Sequence, residues 1–224
     1  MIFKKSHPHL PSVFRILCAA DGCCIILFCI TGWLGRTGQI FSMLLFFLLS
    51  FIACQLRCAD EKNNEQKRAV IRQTVLFCFL LYSFLAIFYL FFDSRFGRSI
   101  SPFSVGFSER MAFANLRPFA TVRLYFRAYR LGRITKVAFY RNIFGNLVLL
   151  MPYSVFLPIL FPRLSNPLRF LLTVFLIDLG IELTQWILLC GVCDVDDFIL
   201  NLLGAFAAYL VFQIVCKRRK HLSD

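Results

Sequence analysis

Charged residues are scarce in this chain of 224 residues: they make up 17% of the sequence, against 59% hydrophobic residues. Soluble domains usually carry about 25% charged and about 45–50% apolar residues. Histidine is rare as well, and His7, His9 and His221 all lie near the polar ends of the chain. The sequence has no glycine-rich nucleotide-binding loop and no histidine-based metal motif. This composition excludes an ordinary cytosolic enzyme and a disordered chain.

Acidic residues are few, so the formal net charge is +13. In a soluble protein, such a charge would favour nucleic acid as a partner. Here the basic residues lie between long apolar runs, which favours lipid headgroups or acidic polymers and no nucleic acid. Ten cysteines are present, but most lie within apolar runs, where cysteine behaves as a small hydrophobic residue. Their positions do not indicate a disulfide framework, which excludes a small disulfide-stapled secreted domain.

Long apolar runs are abundant, and runs of about 20 such residues are typical of transmembrane helices. The sequence predicts an all-α fold, a polytopic integral membrane helical bundle of about six transmembrane helices. The predicted spans cover residues 14–34, 40–56, 74–92, 143–161, 168–190 and 198–216. We interpret the first as a retained span rather than a signal peptide, because it is long, contains Asp21 and has no clear cleavage site.

An even number of spans places both termini on one side of the membrane. Basic residues are concentrated on that side once the long segment 93–142 is left out, so the positive-inside rule predicts a multi-pass cell-membrane protein with cytoplasmic termini. We divide the chain into two N-terminal helices with a basic loop (1–72), a membrane domain (73–216) and a basic cytoplasmic tail (217–224). We expect this tail to anchor the last helix to an anionic inner leaflet.

The segment 93–142 is basic and aromatic, and this topology places it on the outer side. Arg123, Arg127 and Arg130 have helical spacing, which predicts a stripe along one helix face. One interpretation is an amphipathic helix that lies on the bilayer, and the other is a solvated basic loop. With Arg117, these arginines are candidates for binding anionic lipid-linked or cell-wall polymers, since guanidinium groups pair with phosphate.

Polar residues within membrane spans are costly and usually face the bundle interior. Asp178, Glu182 and Gln185 share one face of the fifth span, because their spacing is four and three residues. From the depth of each residue in its span, at about 1.5 Å per residue, we expect one polar cluster on the outer side of the membrane. Its other members are Asn146 in the fourth span, Asp194, Asp196 and Asp197 before the sixth, and Asn201 within it. Asn146 and Asn201 are candidates for ligand binding.

The cluster also has a structural interpretation. Asp194 or Asp197 can cap the sixth helix, and the amide side chains can form hydrogen bonds between helices. Glu182 is the hardest to explain in this way, because a lone carboxylate in a span must be protonated or paired. Further along the sixth span, Gly204 and Ala208 form a surface of small residues, which permits close helix packing.

Several motifs follow one another between residues 75 and 215. They are Asn115-Leu-Arg-Pro-Phe, Asn142-Ile-Phe-Gly-Asn146 with Met151-Pro152, Glu182-Leu-Thr-Gln185, and Asp194-Val-Asp-Asp-Phe-Ile-Leu-Asn201-Leu-Leu-Gly204. In this order they resemble the VanZ-like family of membrane proteins. The sequence departs from the family pattern at Arg117, where an apolar residue is usual, and after Pro152, where a glycine is common. The first two spans are additional to the pattern.

The resemblance implies a role in glycopeptide resistance, to teicoplanin in particular, and it implies no catalytic residue. One hypothesis is a protein that contributes to glycopeptide resistance or cell-envelope modification at the outer membrane face, by binding the antibiotic or an anionic envelope polymer. The alternative is a membrane-embedded transferase or hydrolase that acts on lipid-linked envelope substrates. Glu182 and Gln185 are then the candidate catalytic residues, with Glu182 as general base. The sequence leaves open whether the protein is an enzyme.

The sequence indicates no firm cofactor. In the enzyme hypothesis, Asp194, Asp196 and Asp197 are candidate ligands of a divalent cation, because hard cations prefer several carboxylate oxygens. A third hypothesis is thiol redox chemistry at Cys190 and Cys193, whose Cys-x-x-Cys spacing suits a dithiol.

Overall fold

A computed structural model gives the fold and describes residues 36–61, 63–92, 106, 108 and 111–221. The chain falls into two compact units, Met1–Phe88 and Tyr89–Asp224. Two short parallel strands are present, β1 (Ala114–Asn115) and β2 (Cys193–Asp194). The helices are α1 (Arg36–Asp60), α2 (Asn64–Ile87), α3 (Ala120–Arg130), α4 (Lys136–Leu149), α5 (Tyr153–Leu160), α6 (Pro167–Leu188) and α7 (Val195–His221). The shorter turns are a π-helical turn (Phe88–Phe92) and 3-10 turns at Met111–Phe113 and Pro162–Ser165.

In the first unit, α1 packs against α2. Asn63 caps α2, because its side-chain oxygen accepts a hydrogen bond of 2.9 Å from the backbone N–H of Glu65. Phe46 and Phe77 meet across the two helices, with ring centroids 5.5 Å apart. The predicted span 40–56 lies within α1, whereas the predicted span 14–34 lies outside the described residues.

The helix α6 shows that the second unit is built for apolar surroundings. Its buried face carries Asp178, Glu182 and Gln185, none of which is more than 5% exposed. Its outer face is apolar, and Leu172 and Leu176 are each 57% exposed. A helix with polar side chains inside and leucines outside is stable when lipid covers the leucines. The prediction that the three polar residues share one buried face is therefore confirmed.

Four helical segments in the described part of the chain are long and apolar enough to cross a membrane. They are Asn64–Phe92, Lys136–Leu160, Pro167–Leu188 and Val195–Arg218. These segments contain or largely overlap the predicted third to sixth spans, so the all-α membrane bundle is confirmed. The predicted number of spans is corrected, since four segments are found instead of six. The six-span prediction rested on apolar runs alone. It included segment 14–34, which lies outside the described residues, and α1, which is not among the four segments.

A very close backbone contact joins α4 to α7 in the second unit. A Cβ atom added at Gly204 would lie 1.7 Å from the carbonyl oxygen of Leu147 and 2.7 Å from its carbonyl carbon. Only glycine permits this approach of two helix backbones. The predicted small-residue packing surface is thus confirmed at Gly204.

Candidate functional site

The strands β1 and β2 bring together two segments that are far apart in the sequence. Ala114 pairs with Cys193, and Asn115 pairs with Asp194. The Asn115 amide donates hydrogen bonds of 2.7 Å to Thr121 Oγ1 and 3.2 Å to Asp194 Oδ1. The Thr121 hydroxyl in turn donates to Asp194 Oδ2. These three side chains therefore tie β1, α3 and β2 to one another.

Asp194 also connects this group to α6 and α7. Its Oδ1 accepts a hydrogen bond of 2.9 Å from the backbone N–H of Asp196, which is the bond of an N-terminal helix cap. Its own backbone N–H donates a hydrogen bond of 3.0 Å to Glu182 Oε2. Glu182 thus has a partner inside the protein and ties α6 to β2.

Asp196 holds the first turn of α3. Its carboxylate accepts hydrogen bonds from the backbone N–H of Phe119 and, at 2.9 Å, from that of Val122. The first N–H groups of a helix lack partners within the helix and favour negative charge. Phe119 has a φ of 63°, a left-handed conformation that is rare for a bulky residue. Because Asp196 is 1% exposed, we assign it to stabilising this turn.

The predicted polar cluster is divided between two depths. Near β2, Asn146 donates a hydrogen bond to Asp197 Oδ1 and links α4 to α7. Further along α7, Asn201 Nδ2 donates a hydrogen bond of 2.8 Å to Asp178 Oδ1. The reason is geometric: as α7 leads away from β2, its residues meet residues of α6 that come earlier in the sequence. Asn201 therefore pairs one turn deeper than Glu182.

An open cleft of about 780 Å³ lies beside these contacts. It is lined by the Met111–Phe113 turn, β1, α3, α4, α6, the turn after α6, β2 and α7. It combines polar groups with apolar walls. Such a combination is typical of small-molecule sites. The polar lining residues are Asn115, Thr121, Tyr125, Asn142, Gln185, Asp194 and Asp197, and the apolar ones include Phe113, Leu124, Leu189 and Val192.

Tyr125 brings a phenol group to this cleft. Burial is the main cause that raises the pKa of Tyr125. The carboxylates of Asp197 and Asp194 raise this pKa further, and the positive charge of Arg141 lowers it. A raised pKa keeps the hydroxyl protonated at neutral pH. Tyr125 can therefore donate a hydrogen bond to a bound molecule.

None of the four predicted binding arginines lines this cleft in the part of the chain that the structure describes. Arg123 folds back on the start of α3, where its guanidinium donates hydrogen bonds of 3.0 Å to Phe119 O and 3.3 Å to Pro118 O. Arg117, Arg127 and Arg130 are exposed. The predicted helix is present as α3, which packs on α4 through Phe126 and Tyr129 against Phe139. The binding role of the arginines, and the position of α3 on a bilayer, stay predictions.

The predicted cation ligands have other partners. Asp194, Asp196 and Asp197 accept the hydrogen bonds given above. Within the described ranges, no group of three or more histidine, cysteine, aspartate or glutamate side chains is arranged to hold a metal ion. The divalent-cation site therefore stays a prediction.

The comparison with known families agrees with this arrangement. Residues 77–216 match the VanZ/LLP1 family. The chain belongs to this family. The match covers more than half of the chain and all the residues around the cleft. No curated protein and no solved structure matches the chain.

Four polar residues that line the cleft of this VanZ/LLP1 protein are not among the candidates predicted from the sequence: Asn115, Thr121, Tyr125 and Asn142. Asn115 and Asn142 carry a signal that could have identified them, because each opens one of the family motifs. Thr121 and Tyr125 carry no pattern that points to a site, and only the placement of α3 beside β2 brings them there. The spacing of α6 predicts that Asp178 lies on its polar face, but it does not predict the hydrogen bond between Asp178 and Asn201.

Cys190 and Cys193 of this VanZ/LLP1 protein are free thiols. Cys190 is 2% exposed. Burial raises the pKa of the Cys193 thiol, and the carboxylates of Glu182 and Asp194 raise it further. Redox-active cysteines usually have a lowered pKa, because the thiolate is the reactive form. The surroundings of Cys193 therefore disfavour the redox hypothesis.

We predict that Cys193 reacts slowly with iodoacetamide at neutral pH. Because its pKa is raised, the thiolate fraction is small there, and the rate should still increase above the pH at which a cysteine peptide has reached its plateau. The rates are measured by mass spectrometry on a variant that keeps Cys193 as its sole cysteine. If the reaction rate of Cys193 reaches its plateau at or below the pH found for the peptide, the burial of this thiol beside two carboxylates is contradicted.

Proposed function

We propose that this VanZ/LLP1 membrane protein contributes to glycopeptide (teicoplanin) resistance or cell-envelope modification by binding a ligand in the cleft. The observation that carries the proposal is the cleft, which is open and about 780 Å³ in volume. The predicted topology places it on the outer side of the membrane, where the antibiotic and envelope polymers are found.

The cleft offers polar groups at fixed positions. Gln185 donates one hydrogen bond of 3.4 Å to Leu90 O, and its amide has a second donor hydrogen and an acceptor oxygen. Asn142 donates a hydrogen bond of 2.7 Å to Ala138 O in its own helix, which fixes its side chain at the cleft wall. Tyr125 adds a hydroxyl donor. These groups can orient a ligand while the apolar walls bury part of its surface.

The charge of the lining favours one chemical class of ligand. Asp194 and Asp197 line the cleft, and no basic side chain is among its lining residues as the structure describes them. A phosphate would meet like charge there, whereas an amine or a sugar hydroxyl would meet acceptors. We therefore assign the amine- and hydroxyl-bearing part of a ligand to the cleft. An anionic polymer suits the exposed arginines of α3 better.

The enzyme alternative has less support. Glu182, its general base, accepts a hydrogen bond from the backbone N–H of Asp194 and is not among the described residues that line the cleft. A general base must reach the proton that it removes. Binding is therefore the function that the geometry supports best.

The test is teicoplanin and vancomycin susceptibility at matched membrane levels of each variant. Wild type should raise the inhibitory concentration above that of cells without the protein. Tyr125→Phe and Gln185→Leu each remove a hydrogen bond to the ligand, which should weaken binding about fivefold and lower protection. Thr184→Val is the control, because Thr184 is exposed and donates to Gly180 O in its own helix.

The other outcomes are equally informative. If wild type gives no protection, the antibiotic role is wrong. If Glu182→Gln alone removes protection while Tyr125→Phe and Gln185→Leu retain it, the enzyme alternative is favoured instead. If Arg127→Gln with Arg130→Gln removes protection and the two cleft variants do not, the ligand binds at α3 rather than in the cleft.

A further inference from the structure

Two buried polar atoms lack a hydrogen-bond partner among the described residues, Asp178 Oδ2 and Asn201 Oδ1. They belong to the same pair of residues, because Asn201 Nδ2 donates to the other oxygen of Asp178 at 2.8 Å. Asp178 is 0% and Asn201 2% exposed. The pair thus has one hydrogen bond made and two oxygen atoms left without a donor.

An ionised Asp178 would leave both oxygen atoms without a hydrogen-bond donor. A carboxylate has only acceptor oxygens, and the amide oxygen of Asn201 is also an acceptor. Unsatisfied acceptors are costly in an apolar interior, and an isolated ionised carboxylate is more costly still. A single proton on Asp178 Oδ2 would remove both defects, because the acid could then donate to Asn201 Oδ1. The two side chains would form a ring of two reciprocal hydrogen bonds with no net charge.

We propose that Asp178 and Asn201 form a proton-binding site in the membrane interior, in which Asp178 is the neutral acid. Proton binding converts the carboxylate to the acid, and no other bond is formed or broken except the new hydrogen bond to Asn201. This site is separate from the cleft. Asp178 lies seven residues before Gln185 on α6, a distance of about 10 Å along the helix axis.

The surroundings favour a proton over a metal cation. Hard cations such as calcium take about six to eight oxygen ligands, whereas this pair offers two unpartnered oxygens. The neighbouring ionisable side chains one turn away, Glu182 on α6 and Asp197 on α7, are acidic. Their negative charges would repel an ionised Asp178, whereas they would not repel the neutral acid.

Infrared spectroscopy tests the proposal directly. Purified wild type and Asp178→Asn are compared in deuterated buffer at neutral pH. The difference spectrum should contain the carbonyl band of a protonated carboxylic acid, lost in Asp178→Asn. Glu182→Gln serves to assign any band that belongs to the other buried carboxyl group. A difference spectrum that shows ionised carboxylate bands instead would overturn the proposal.

Thermal unfolding gives a second test. Asp178→Asn should melt within about 3 °C of wild type, because its amide can donate to Asn201 Oδ1 as the acid does. Asn201→Leu removes both the amide N–H that donates to Asp178 and the amide oxygen that would accept from it. This change should lower the melting temperature by roughly 5 °C or more. Thr184→Val, on the same helix but exposed, should leave it unchanged. Equal losses in Asp178→Asn and Asn201→Leu would contradict the reciprocal pair.

The same assay separates a proton from a cation. Replacing sodium with N-methylglucamine should not change the melting temperature of wild type. If this replacement lowers the melting temperature of wild type but not that of Asp178→Asn, the proposal is overturned in favour of a sodium site. If Asn201→Leu does not accumulate, the infrared comparison decides alone. Because Asp178 and Asn201 do not line the cleft, failure here leaves the proposed ligand binding intact.

Discussion

Replacing Gly204 with valine is expected to prevent the protein from accumulating in a folded form. A Cβ atom there would lie 1.7 Å from the Leu147 carbonyl oxygen, and this atom belongs to a helix backbone, which cannot rotate away. The helices α4 and α7 would have to separate along the most extensive helix contact of the second unit. Overpacking of this kind typically costs about 1–3 kcal/mol, and a backbone clash belongs at or above the upper end. Size-exclusion yield and melting temperature in detergent measure the loss.

The chain contains matched controls for this prediction. Gly145 and Gly180 are also helical, and a Cβ atom at either position would meet nothing within 4 Å. Alanine has a better helix propensity than glycine by about 1 kcal/mol. Gly145→Ala and Gly180→Ala should therefore be neutral or slightly stabilising, whereas Gly204→Ala should already destabilise. Equal melting temperatures for the three alanine variants would show that the close contact of α4 and α7 is wrong.

Replacing Asp196 with alanine is expected to release the start of α3. The change removes acceptors from the backbone N–H groups of Phe119 and Val122. Hydrogen bonds to charged groups contribute about 1.5–3 kcal/mol each. It also removes the contact that supports the left-handed conformation of Phe119, with its φ of 63°. We expect a loss of about 3 kcal/mol, mostly as local unfolding of α3.

Trypsin can report this local unfolding, because α3 contains three arginines, Arg123, Arg127 and Arg130. Cleavage at these sites should be faster in Asp196→Ala than in wild type. Asp196→Asn keeps one acceptor oxygen and should lie between the two. Glu65→Ala is the control, since Glu65 is an exposed acidic residue in the first turn of α2. Unchanged cleavage of α3 in Asp196→Ala would mean that another contact holds the helix.

Much of the membrane architecture could be predicted from local patterns. The apolar runs at 74–92, 143–161, 168–190 and 198–216 correspond to segments long and apolar enough to cross a membrane. The spacing of Asp178, Glu182 and Gln185 indicated one buried face, and all three are buried. Helical periodicity and hydropathy act within one segment, so they can be read without knowing the neighbouring helices.

The site was less predictable, because its contacts join distant segments. The arginine spacing predicted the helix α3, but it could not show that the cleft is lined by Thr121, Leu124 and Tyr125 instead. Three aspartates within four residues suggested one shared ligand. In the fold, Asp194 accepts from Asn115 and Thr121, and Asp196 accepts from the backbone at the start of α3. Their partners lie more than 70 residues away.

Hydropathy, helical spacing and the order of the motifs thus establish from the sequence that this is a helical membrane protein with a polar interior and a glycine at a helix contact. These properties depend on residues within one or two turns of each other. The three-dimensional packing assigns a partner to each carboxylate, pairs β1 with β2 and creates the cleft. It also leaves Asp178 and Asn201 with two oxygens that one proton could satisfy. The physical reason is that hydrogen bonds depend on positions to within a few tenths of an ångström, and only the packed helices bring the donors and acceptors to those positions.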